Sequence, residues 1–143
     1  MFKQIILASI FISNGAFASH VILRKHVTSG NVRPEDSFVK NCSFTNDGHI
    51  RINLKKGDGT TTFHTHHISS TKVAEIKTLV QRAHSGRIIE EGATCDGGDN
   101  LLYGFISGHK VLLDENFDCG RHRVNQSIAT PRLKTIALKN CGF

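Results

Sequence analysis

The residue types best suited to chemistry crowd into His64-x-His66-His67, the densest part of a set of nine histidines. In an extended strand His64 and His66 point to one side, about 7 Å apart. A turn centred on Asp58-Gly59 pairs Arg51 with His66 and Asn53 with His64. A turn at Gly57-Asp58 instead pairs His49 with His66 and Arg51 with His64. In either register His49, Arg51, His64 and His66 share a solvent face. Three imidazoles converging there could hold zinc or copper with one coordination position open. Together with Lys55, Arg51 could equally draw a phosphate or carboxylate to the same patch. Against the metal stands Arg51 itself, which repels a cation. The plain alternative is an ordinary polar surface. The pair Ser19-His20 is a lesser copper candidate if the chain is cut before Ser19.

A second candidate is the segment after Cys119, Arg121-His122-Arg123, a basic connection tied at its base by a cysteine. Many secreted protease inhibitors present a substrate-like loop in this way, and rigidity lowers the ordering cost of binding. Arginine there would suit a trypsin-like specificity pocket. A third is the acidic group Asp96, Asp99, Asp114, Glu115 and Asp118, which lacks the ligand spacing of a calcium loop. Arg121 and Arg123 are close enough in sequence to neutralise it.

Enzyme signatures are sparse. The chain contains no G-x-S-x-G elbow, phosphate loop, H-E-x-x-H or dinucleotide fingerprint. A small ribonuclease needs only a base, an acid and a cation, roles that Glu90 or Glu91, Arg87 and a histidine could fill. No catalytic residue is assigned on that basis.

These side chains belong to a chain built for export. Lys3, the apolar run Ile5–Ile12 and Ala16-Phe17-Ala18 form a secretory signal peptide over residues 1–18. The run is too short to span a bilayer. Residues 19–143 then make one domain, secreted or periplasmic and expected to be monomeric, with no transmembrane segment. The formal charge of +6 favours polyanionic ligands or a protein partner.

Four cysteines in an oxidising compartment imply two disulfides. Cys95 and Cys119 close the open end of a hairpin turning near Gly108, between the apolar runs Leu101–Ile106 and Lys110–Leu113. Cys42 lies on the apolar side of a strand with Phe38 and Phe44, and Cys141 on the apolar side of a helix. The preferred pairs are therefore Cys95–Cys119 and Cys42–Cys141, with Cys119–Cys141 and Cys42–Cys95 as the rival. The Cys95…Tyr103…Gly108…Phe117…Cys119 arrangement resembles the second disulfide region of subtilisin-inhibitor-like proteins, over less than a quarter of the chain. The first cysteine pair does not match that family, and no functional residue is carried over.

Alternation predicts strands over 19–28, 38–44, 49–55, 60–68 and 87–94, plus the two hairpin strands. Phe63 is expected to face inward with Ile50, Ile52 and Leu54. Val73, Ile76, Leu79, Val80 and Ala83 fall on one helical stripe after a Ser69-Ser70-Thr71 cap, with Gly86 closing the helix. Thr130 and Pro131 predict the start of a second helix carrying Leu133, Ile136, Ala137 and Cys141. The fold class is α+β: an antiparallel sheet of six or seven strands with two helices on one face. The functional expectation is a non-enzymatic exported binding domain, inhibitor-like in its loop. The alternatives are metal or anion binding on the histidine patch, or a ribonuclease-like hydrolase.

Overall fold

A computed structural model describes residues 19–92, 95 and 97–143. The signal peptide expected over 1–18, and Ala93, Thr94 and Asp96, lie outside the described residues.

The described residues form eight strands: β1 (Val21–Thr28), β2 (Phe38–Thr45), β3 (His49–Lys56), β4 (Thr61–His67), β5 (Ile88–Glu91), β6 (Asn100–Ile106), β7 (His109–Asn116) and β8 (His122–Asn125). They form one antiparallel sheet in the order β4-β3-β2-β1-β6-β7-β8-β5. The strand beyond the expected six or seven is β8. Its four residues are too few for periodicity to separate a strand from a loop. The β6–β7 hairpin turns at Ser107-Gly108 and takes a central place, as its double-sided apolar sequence implies.

Two helices, α1 (Ser70–His84) and α2 (Ala129–Cys141), cover one face of this sheet. The α1 stripe of Val73, Ile76, Leu79, Val80 and Ala83 is buried as its spacing requires, and the Ser69 side chain accepts from Lys72 N at 3.2 Å as the cap. In α2 the start differs from expectation. The helix opens at Ala129, whose N–H donates to Ser127 Oγ, and Thr130 is buried within the first turn. Pro131 is tolerated there because the first-turn N–H groups have no partner inside the helix.

Leu23, Cys42, Phe44, Ile50, Leu102 and Val111 supply the sheet side of the core. Cys42, fully buried, is bonded to Cys141 with a Cα–Cα distance of 5.8 Å, so a disulfide fastens α2 to β2. Cys95 and Cys119 form the other pair, with Cα atoms 4.2 Å apart at the open end of the β6–β7 hairpin. Both preferred connectivities are thus present.

Helix α1 approaches the sheet at Gly104. A Cβ built there would sit 2.5 Å from Val80 Cγ1, and Val80 is buried. Gly104→Ala is expected to cost about 2 kcal/mol through overpacking, and less in a Val80→Ala background. Urea denaturation reads this as a lowered midpoint at unchanged slope; an unshifted midpoint would show that α1 can move aside.

Candidate functional site: the open face of the sheet

The loop joining β3 to β4 decides which histidines can meet. Lys56 N donates to Thr60 O at 2.9 Å across a three-residue loop, Gly57-Asp58-Gly59. Its tip is held by the Asp58 carboxylate, which accepts from Thr60 N at 2.8 Å. An odd loop moves the register by one residue relative to a two-residue turn, and that turns every side chain of β4 over. His49 pairs with His67, Ile50 with His66, Arg51 with Thr65, Ile52 with His64 and Asn53 with Phe63.

The expected patch is therefore split. His49 and Arg51 stand on the open face with Phe63, Thr65 and His67. His64 and His66 stand on the face that carries the helices, alongside Ile52 and Ile50. Phe63 points away from the core and is 73% exposed, contrary to its expected inward setting. His49 instead meets His67 edge to face, with ring centroids 5.1 Å apart, and His67 Nε2 donates to the Asp47 carbonyl at 3.0 Å. Among the described residues no three histidine, cysteine or carboxylate side chains converge as metal ligands.

The Arg121-His122-Arg123 segment is also reorganised. His122 and Arg123 belong to β8, and a tight turn at Phe117–Arg121 joins it to β7. Arg123 donates through Nε to Glu115 Oε1 at 2.7 Å, and its Nη2 bonds the same oxygen. His122 lies with Nε2 3.0 Å from Asp114 and Nδ1 3.2 Å from Glu91. Of the three, only Arg121 is exposed; His122 and Arg123 lie in a paired strand and not in a free substrate-like loop. Both nitrogens of His122 thus face carboxylates. The acidic group separates as well. Asp114 faces the helices and meets Lys134 at 2.5 Å, whereas Glu115 faces the open side.

On that open side Glu115 is almost fully buried, and Tyr103 donates its hydroxyl to Glu115 Oε2 at 2.5 Å. Burial alone would raise the Glu115 pKa, but the Tyr103 hydroxyl and the Arg123 guanidinium outweigh it and hold the carboxyl below its ordinary range. Burial, and then the bond to Glu115, push the Tyr103 hydroxyl well above the ordinary tyrosine value.

Elsewhere the open face carries cationic and neutral polar side chains among apolar ones such as Phe63 and Phe105, arranged in rows across the strands. One row runs Thr65, Arg51, Ser43, Arg24 and Tyr103 over β4, β3, β2, β1 and β6. Lys110 of β7 lies over the Tyr103 ring at 4.4 Å, and Arg24 over the Phe105 ring at 5.5 Å. The neighbouring row runs Phe63, Asn53, Asn41 and His26. His26 Nδ1 lies 2.6 Å from Asn41 Oδ1.

Between the rows is a groove of about 430 Å³ lined by Arg24, Asn41, Ser43, Arg51, Asn53, Phe63 and Thr65, with Ile52 and His64 also bordering it. Asn53 Oδ1 is buried there and has no donor among the described residues. Arg24, Arg51, Lys55 and Lys110 have no carboxylate partner within 4.0 Å among the described residues. Sequence reasoning found Arg51 and Lys55. It missed Arg24, Lys110, Asn41 and Asn53, although Arg24 was visible as the residue opposite in parity to Leu23.

The chain matches no protein-family model, no curated protein and no solved structure. No helix among the described residues is long and apolar enough to cross a membrane.

Proposed function

We propose that this is an exported, non-enzymatic binding domain that takes an anionic ligand on the open face of its sheet. The observation that carries the reading is a set of open-face cations with no carboxylate partner among the described residues, Arg24 and Arg51 lining the polar groove and Lys55 and Lys110 farther out on the same face. Cations without internal partners generate a field that an incoming anion satisfies, and the low dielectric beneath the groove strengthens it. Export is supported by the signal-like sequence at 1–18 and by two disulfides, which persist in oxidising compartments.

The test is binding of heparin and inorganic polyphosphate across a salt series. Arg24→Ala and Arg51→Ala should each lower the slope of log affinity against log salt by about one. Lys77→Ala removes the same charge from exposed α1 and should change little. Equal losses from all three variants would reduce the effect to net charge and sink the assignment to this face.

A further inference from the structure

We infer that the polymer this groove accepts is a single-stranded nucleic acid, with phosphates on the Arg51–Arg24 row and bases toward Asn53 and Phe63. The inference rests on the anion-binding reading and specifies its ligand. Arg51 and Arg24 stand on strands two intervals apart, about 10 Å, with Lys110 beyond them over the Tyr103 ring. A series of cations running across the strands suits an anion that repeats along a chain, where one small anion would need them converged.

The second row carries different chemistry. It lies two residues along each strand from the first, hence about 7 Å away, and it contains no cation up to His26. It offers an exposed phenyl at Phe63 and the polar side chains of Asn41 and Asn53 at the groove wall. Such a bank suits a ring face to stack and a polar edge to hydrogen-bond. A nucleotide separates these features in the same sense, with its phosphate at one end and a base with a flat face and N–H donors at the other. Acidic polysaccharides carry the acid on the ring itself, and polyphosphate has no ring. Stacking of bases on an aromatic side chain beside a cationic track is how single strands are bound without strict sequence choice. In a duplex the bases are already stacked and their faces hidden.

The experiment is fluorescence anisotropy with a labelled oligothymidylate, compared with an abasic oligomer of equal length, polyphosphate, heparin and a duplex. Oligothymidylate should bind most tightly. Phe63→Ala should weaken it about tenfold while leaving polyphosphate unchanged, and Phe63→Tyr should keep most of the affinity. Because Phe63 is largely exposed, its truncation leaves the core intact. If the abasic oligomer, heparin or the duplex binds as tightly as oligothymidylate, or if Phe63→Ala is silent, the nucleic-acid inference falls and the anion-binding reading survives. If no polyanion binds, both fall.

Discussion

Replacing Cys42 and Cys141 together by alanine is expected to lower the unfolding free energy by about 4–5 kcal/mol, against about 3 kcal/mol for Cys95 and Cys119. The difference comes from the unfolded chain. The first bond closes a loop of sequence separation 99 and the second one of 24, and the longer loop removes more denatured-state entropy. Location acts in the same direction. Cys42 and Cys141 are buried between β2 and α2, so their truncation also leaves space in the core, whereas Cys95 and Cys119 are exposed. Urea denaturation of the oxidised variants measures both losses. Equal losses would mean that the denatured chain retains enough structure to mask the loop lengths.

The second large effect lies at Glu115. Arg123→Ala should cost about 3 kcal/mol, because a buried carboxylate loses its cation while its desolvation remains. Adding Glu115→Gln should recover a good part of that cost, since an amide needs no counter-charge. Two independent losses that merely add in the double variant would contradict the coupling. The pH profile of the parent protein follows from the same group. Its folded pKa is depressed, so its contribution is fully present above the unfolded value of 4.5 and is lost as pH falls through the folded value. Tyr103 shifts the other way. Its stabilisation holds below the unfolded value of 10.0 and declines as pH rises beyond it. Glu115 should therefore contribute a fall in thermal midpoint on the acid side and Tyr103 one on the alkaline side, and Tyr103→Phe should flatten the alkaline limb. An alkaline limb unchanged in that variant would assign the loss to other groups.

Much of the fold was legible because its signals are local. The α1 stripe, the β6–β7 turn and the shared apolar side of Cys42 and Phe44 each lie within one element. Both disulfides followed, since each cysteine's side could be read from its own neighbours. The histidine patch failed on a single residue of register. Gly57-Asp58-Gly59 is equally compatible with a two- or three-residue loop, and only the longer one turns Phe63 outward and sends His64 and His66 to the far face. The groove was harder still. Arg24 and Arg51 share a row because β1 pairs with β2 in the register that sets Arg24 opposite Ser43, and the long β1–β2 connection leaves that register unspecified locally. Similarly, the inhibitor-like reading of Arg121-His122-Arg123 assumed an open loop, whereas the pairing of β8 with β7, which carries Arg123 to Glu115 and His122 to Asp114, is not written in the segment's composition.

The long covalent loop has a further consequence for survival among proteases. A single cut anywhere between Cys42 and Cys141 leaves both pieces joined by that bond, so a nick in any later turn cannot shed an element of the sheet. The exception is the connection between β1 and β2, which lies upstream of Cys42. Cleavage there would detach β1, the strand that holds the two halves of the sheet together and carries Arg24. Residues 31–36 of this connection are exposed, yet its one basic residue, Arg33, is followed directly by Pro34 and is paired with Glu35 and Asp36. A bond on the amino side of proline is a poor substrate for trypsin-like enzymes. The one cut that would dismantle the molecule is thus placed where such enzymes work least well.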